Sequence, residues 1–445
     1  MKLRGLIVAM VVLLGLMGIL IWSNKHPKSA ESAEASAETP PKILSLKEDD
    51  ISKIDLKKKD APEIVLAKNN GKWQIDAPKP LAADQTTIST MLTTLSSLNS
   101  ERLVEDKASN LSQYGLSEPA LEADVTVKDK TQKLILGDDT PTGSAVYAKR
   151  DGDPRVFTIA TYEKNNIDKG INDLRDKRLL TVNPDKISKV ELLAKKQDIE
   201  FGRNKDEWQI VKPKPLRADG MQVDDLVRNL TDAKMDLSGS DDSRKIAAAF
   251  ASATPLATAR VTDESGTQEL QVRKNKDDYY AKSSVVDGVY KVAGSVGQGM
   301  DKGLDDFRNK KLFDFGFSDP NKIEIHDGAK SYFLTRGGED WWNGSGQKLE
   351  IGTAQSLIDE VRDLSAAKFV DSGFTQPTID MTVTSNDGKR VEKVSISKTG
   401  ENYVAKRENE PSLYQVDSKA VADLQKAAED LKTAALPSNP AKPGK

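Results

Sequence analysis

Three stretches of this chain space their apolar residues three and four apart, the signature of a helix with one buried face. In the first, Ile88, Met91, Leu92, Leu95 and Leu98 fall at i, i+3, i+4, i+7 and i+10. Val223, Leu226, Val227 and Leu230 repeat the spacing, as do Ala354, Leu357, Ile358, Val361 and Leu364. Ahead of each helix the chain predicts a short strand, at 51–56, 187–193 and 322–326. A hairpin follows, turned at Asn69-Asn70-Gly71, Asn204-Lys205-Asp206 or Arg336-Gly337-Gly338, and it ends on a strand that carries tryptophan. Past each helix come a proline-bearing loop (Pro119, Pro255, Pro377), a second hairpin and a closing helix. The second hairpins carry Tyr147 and Phe157, Tyr280 and Tyr290, and Tyr403 and Tyr414.

The residues repeat as well as the pattern. The run from Gly71 to Asp84, with Trp73-Gln74-Ile75 and Pro78-Lys79-Pro80, returns from Asp206 to Asp219, with Trp208-Gln209-Ile210 and Pro213-Lys214-Pro215. The two tryptophans are 135 residues apart, and Trp342 follows 134 residues later. A second match joins Asp168-Lys169-Gly170 through Leu179 to Asp301-Lys302-Gly303 through Leu312. Two matches at nearly one period predict tandem copies of one unit. We read them at 43–180, 181–313 and 314–433, with a tail at 434–445. The third copy lacks the Lys-Pro segment and about three residues between tryptophan and helix. Strand pairs on either side of helices predict an α+β fold, a small antiparallel sheet with helices packed on one face. On this reading Trp73, Trp208 and Trp342 either cover a core edge or stand exposed for binding. The Pro-Lys-Pro segments read as rigid connectors into the helix.

Hydropathy also sets an address. After residues 1–4, with Lys2 and Arg4, an uncharged stretch runs from Gly5 to Trp22. Its eighteen residues span roughly 27 Å as a helix, close to a bilayer's hydrocarbon thickness. Trp22 suits an interfacial anchor, and no small-x-small cleavage site follows directly. Residues 5–22 therefore predict a transmembrane signal anchor, N-terminus inside. The copies would lie in the periplasm or outside, beyond a low-complexity linker at 23–42.

Composition narrows the chemistry. The chain has 66 basic and 69 acidic residues, a net charge of −3, which lacks the concentrated positive face that nucleic acid requires. It has no cysteine and two histidines, His26 and His326. Thiol nucleophiles, disulfides and zinc–thiolate sites are excluded, and most transition-metal chemistry with them. No Gly-x-Ser-x-Gly elbow, phosphate loop, His-Glu-x-x-His or calcium loop is present. Asn343-Gly344-Ser345-Gly346 reads as a turn, as do Asp151-Gly152-Asp153 and Asp387-Gly388. His326 and Asp327 are neighbours on a strand, so their side chains point to opposite faces. Catalytic residues, cofactors and metals are thus expected to be absent.

The anchor, the Trp73-Gln74-Ile75 segment with its copies, and Tyr114-Gly115-Leu116-Ser117-Glu118-Pro119 resemble a bacterial family built on domain of unknown function 4340. The last motif recurs weakly as Ser372-Gly373-Phe374-Thr375-Gln376-Pro377. The resemblance covers most of the chain beyond residue 43. It implies a membrane-anchored accessory beside a gliding-type ABC transporter, with the permease complex or its extracytoplasmic subunit as partner. Two other functions remain open: an envelope glycan- or peptide-binding module, and a cryptic hydrolase whose carboxylates meet only on folding.

Overall fold

The computed structural model describes residues 41–205, 207–239 and 242–434. The candidate anchor at 5–22, most of the linker and the tail past Ala434 lie outside the described residues. Among the described residues no helix is long and apolar enough to cross a membrane. The fold is α+β, three wholly antiparallel sheets with helices. The chain divides after Asp176 into two compact units, the first holding one sheet and the second holding two.

In the first unit the order along the chain is β1 (Ile51–Lys58), β2 (Ile64–Asn69), β3 (Lys72–Ala77), β4 (Leu81–Ala82), α1 (Gln85–Ser96), β5 (Arg102–Glu105), β6 (Leu121–Val127), β7 (Lys130–Asp139), β8 (Ala145–Arg150), β9 (Val156–Ala160), α2 (Thr161–Ile167) and α3 (Ile171–Leu174). The sheet order is β4-β3-β2-β1-β6-β7-β8-β9-β5. The turn between β2 and β3 places Asn70 and Gly71 at φ 50° and 79°, the left-handed pair that a two-residue hairpin needs. Helix α1 begins where Asp84 accepts the backbone N–H groups of Thr86 and Thr87 at 2.9 and 3.1 Å. It buries Ile88, Met91, Leu92 and Leu95, each contributing about 1.5–3 kcal/mol of transfer free energy. Leu98 is buried too, although the helix ends at Ser96.

The second sheet comprises β10 (Lys189–Ala194), β11 (Gln197–Asn204), β12 (Glu207–Lys212), β13 (Leu216–Arg217), β14 (Thr254–Asp263), β15 (Gly266–Asn275), β16 (Asp278–Ser283) and β17 (Tyr290–Val292). Its helices are α4 (Gly220–Thr231), α5 (Ser243–Ser252), α6 (Gly294–Met300) and α7 (Leu304–Phe307). The third comprises β18 (Lys322–Asp327), β19 (Lys330–Gly337), β20 (Asp340–Trp342), β21 (Lys368–Val370), β22 (Ile379–Ser385), β23 (Arg390–Thr399), β24 (Asn402–Arg407) and β25 (Leu413–Val416), with helices α8 (Ile351–Asp363) and α9 (Ser418–Glu429). Each sheet has its own core of buried residues. The predicted helix faces are those that face the cores: Val223, Leu226 and Leu230 on α4, and Ala354, Leu357, Ile358 and Val361 on α8.

Helix α5 departs from the expectation of helices on one face. Val272 points into the core, and the next residue, Arg273, points the other way. Arg273 donates to the Phe250 carbonyl at 3.3 Å and lies 4.5 Å over the Phe250 ring, so α5 packs on the outer face. Its sequence gave no helical stripe, because Ala247-Ala248-Ala249 leave only Ile246 and Phe250 as large apolar side chains. The peptides Ala77–Pro78 and Lys212–Pro213, at the two Pro-Lys-Pro segments, are cis.

The repeated tail segment also finds its reason. Arg175 bridges Ala83 in the first unit, where Asp176 donates to the Ala82 carbonyl at 2.8 Å. Arg308 bridges Ala218 in the same way, and Thr433 bridges Leu349. Three residues past Arg175 and Arg308, the incoming strap of the following copy begins: Arg178 bridges Lys234 and Lys311 bridges Ser365. The first copy has this strap as well, with Lys42 bridging Asn99 and Ser100 donating to Pro41 at 3.1 Å. Pro41 and Lys42, read from sequence as the end of the linker, therefore belong to the first copy. One short motif recurs because it completes one copy and starts the next.

Candidate functional site

Strand register, not spacing alone, identifies the equivalent tryptophans. Trp73 pairs with Lys68 and Trp208 with Arg203, each one residue inward from the pair that closes its hairpin. In the third sheet the residue at that place is Trp341, which pairs with Arg336. Trp73 and Trp208 are 6% exposed and Trp341 2%, whereas Trp342 is 37% exposed and points to the other face. Assigning Trp342 to the set is thus corrected: it is the neighbour of the structural tryptophan. Spacing misplaced it because the offset falls from 135 between the first two copies to 133 between the second and third, and the 134 residues to Trp342 lie nearer the first value. The buried Trp208 donates its Nε1–H to Asp224 at 2.8 Å and carries the Arg203 guanidinium 5.1 Å from its ring.

Beside Trp208, within the second unit, lies an open cleft of about 600 Å³. Its apolar side is Trp208, Ile210 and Pro215; its polar side is Arg217, Asp314 and Glu410. Arg217 extends from β13, ion-pairs with Asp314, donates to the Lys311 carbonyl, and places Nε 2.9 Å from Glu410 Oε1. Arg407, at the end of β24, donates to Glu410 at 2.7 Å, to Glu392 at 3.0 Å and to the Leu312 carbonyl. Arg390 lies 3.3 Å from both Asp314 and Glu392. The Asp314 backbone N–H donates to both Glu392 oxygens at 3.1 Å, and the Tyr414 hydroxyl donates to Glu410 at 2.7 Å.

Three guanidinium groups thus face three carboxylates, with little left uncompensated. Burial alone would lower the Arg217 pKa, but Asp314, Tyr414 and Glu410 outweigh it and hold the group above its ordinary value. Burial pushes the Tyr414 phenol up, Arg217 opposes this, and the bond to Glu410 adds to the rise. Chemically this is a charge-balanced joint, well suited to fixing geometry. Two signals in the sequence point to it: Arg217 stands where the first copy has Ala82, and Asp314 where the second has Thr181, each a charge introduced into a repeated segment.

The other candidates are local. His326 is exposed, its Nδ1 2.9 Å from Ser331 Oγ, while Asp327 accepts from Gln425 at 2.9 Å, so the two do not act together. Asp153 accepts from Arg155 at 2.7 and 3.0 Å; that contact, aided by Arg150, holds its carboxyl at about 2. In the Tyr114–Pro119 segment, Gly115 has φ 66° and lies against the Asp138 carboxylate, and Gly137 admits the Tyr114 carbonyl. Those glycines serve close packing. Among the described residues no group of three His, Asp or Glu side chains is placed to hold a metal ion.

The family model of a domain of unknown function (DUF4340) matches residues 73–207 and again 208–379, well over half of the chain. The chain belongs to this family. Both matches begin on the buried tryptophan, so the family's repeat is phased one hairpin later than the structural copy. No curated protein and no solved structure matches the chain.

Proposed function

We propose that this member of the DUF4340 family is a non-catalytic scaffold, anchored in the cytoplasmic membrane by residues 5–22. Its copies, outside the cytoplasm, bind and position components of an ABC-type transport system. The observation that carries the reading is the tandem repetition itself, each copy started and finished by the same backbone-paired strap. Repeated surfaces on one tether suit multivalent contact, because the first engagement raises the effective concentration for the next. The Arg217 joint supports it further, since its ionic groups are spent on each other and hold the second unit in one shape.

The glycan-binding alternative rested on an exposed row of tryptophans, and Trp73 and Trp208 are buried. The hydrolase alternative needs carboxylates free to exchange protons; Asp314 and Glu410 are engaged by arginines. The test is purification of the full chain from its native membrane in mild detergent, with mass spectrometry of what accompanies it. An ABC permease and its ATPase should be enriched, and lost when residues 43–433 are deleted. Recovery of the protein with envelope polymer alone would overturn the scaffold reading.

A further inference from the structure

The outer faces of the three sheets differ at one register position. In the first sheet Lys57 pairs with Glu122, and Glu122 with Ile135; Glu122 is held by Lys133 at 3.0 Å. In the third, His326 pairs with Asp380, and Asp380 with Ser395, whose hydroxyl donates to it at 2.6 Å. In the second the same row reads Leu193, Thr258 and Gln271. The acid at the middle position has become a neutral threonine.

Cations gather around that threonine. A concavity of about 250 Å³ on this face is lined by Lys195, Lys196 and Arg273 together with Thr258 and Gln271, and no carboxylate lines it. Among the described residues none of the three cations has a carboxylate partner within ion-pair distance. Lys282 stands opposite Gln271 on the next strand. The acids nearby are engaged or stand outside the lining: Glu269 on the same face is held by Arg260 and Gln271, Asp198 is the cross-strand partner of Leu193, and Asp306 lies at the Gly303 turn that the Lys195 stem passes. An unpaired cluster in a chain of net negative charge attracts an anion.

Two further features indicate a built site. Lys195 and Lys196 form the β10–β11 turn at φ 50° and 62°, where the corresponding turn of the third sheet uses Gly328 at φ 58°. Lysine is disfavoured in the left-handed region, and Lys128, Lys205 and Lys276 adopt it singly at other turns; what sets this turn apart is that it places two ammonium groups side by side. Arg273 is held on the Phe250 ring and carbonyl by the extra helix α5, leaving its other N–H groups to donate. Leu193, 53% exposed, and Leu256 supply an apolar wall.

We propose that the outer face of the second sheet binds a phosphate group carried on an apolar body, the phosphate on Lys195, Lys196 and Arg273 and the body against Leu193 and Leu256. This inference is independent of the transporter partner proposed above.

The test is calorimetric titration of the full chain in neutral nanodiscs at low salt. The probes are inorganic phosphate, dihexanoyl phosphatidic acid and dihexanoyl phosphatidylcholine. Phosphatidic acid, a free phosphomonoester, should bind tightest, and phosphatidylcholine, whose phosphodiester carries a single charge offset by choline, at least tenfold more weakly. Thr258→Glu, which restores the acid of the sister sheets, and Arg273→Gln should each weaken binding about tenfold. Lys195→Gly should weaken binding while raising the melting temperature, because it relieves the turn; a merely unfolded variant would lower both. Equal affinity for inorganic phosphate and phosphatidic acid would overturn the apolar body and leave free phosphate as the ligand. Absence of binding, or binding unchanged in Thr258→Glu and Arg273→Gln, would overturn the site.

Discussion

The loop between β8 and β9 and the loop between β24 and β25 occupy the same place in their sheets, and each carries an acid followed by proline. They satisfy that acid by different means. Asp153 takes its partners from within five residues: Arg155 through side chain and backbone, and Arg150 at 3.6 Å. Glu410 takes Arg407 and Tyr414 locally, and adds Arg217 from β13, nearly two hundred residues earlier. A carboxylate satisfied locally makes a self-contained loop. One that needs a distant cation ties two parts of the chain together, and cannot be satisfied until both are in place.

The largest expected effect checks the register on which this comparison rests. Trp341→Ala should destabilise the protein by about 3–5 kcal/mol in urea unfolding, as loss of a core tryptophan does. A small loss there would mean that the copies are misaligned. Arg217→Ala should cost about 2–4 kcal/mol, because it removes the cation that Asp314 and Glu410 share and leaves two carboxylates with only Arg390, Arg407 and Tyr414 to hold them. Adding Glu410→Gln should recover part of that loss, and strict additivity of the two would break the claim that they are coupled.

Asp153→Asn should cost about 2 kcal/mol at neutral pH, since the carboxyl is held at about 2 against an ordinary 3.8. A lowered pKa contributes stability that is present above the ordinary value and lost as the pH falls through the folded one. The gap between wild type and variant should therefore close between about pH 4 and pH 2, measured by urea midpoints at each pH. A gap independent of pH would show that the Arg155 contact does not act through charge. At the small end, Trp342→Ala and Lys133→Met should each change stability by less than about 1 kcal/mol, one being a half-exposed edge residue and the other in a surface charge ladder.

Much of the fold was legible before any coordinates. The apolar stripes of α1, α4 and α8 read directly as buried faces, because helical spacing is a property of about a dozen neighbouring residues. Asn70-Gly71 read as a hairpin for the same reason: the left-handed pair of dihedrals selects the residues. The candidate joint was not legible. Arg217, Asp314, Glu392, Arg407 and Glu410 are ordinary surface-type residues in sequence; Arg217 stands where the first copy has Ala82, and Asp314 and Glu392 stand where the second has Thr181 and Gln268, but nothing along the chain says that these changes meet. Helix α5 was missed because a run of alanines carries helical propensity without a stripe.

By itself, then, the sequence determined the type and order of the elements, the repetition, the absence of thiol chemistry and the membership of a family. These depend on local periodicity, composition and internal likeness, all written along one dimension. Tertiary structure alone decided that Trp341 rather than Trp342 enters the core. It also decided that the tail motif straddles two copies, that Arg217 meets carboxylates from far along the chain, and that three cations surround Thr258. Each of these depends on strand register or on a long-range pairing. A shift of one residue in register turns a side chain from core to solvent, and no count of residues along the chain reports which side it will take.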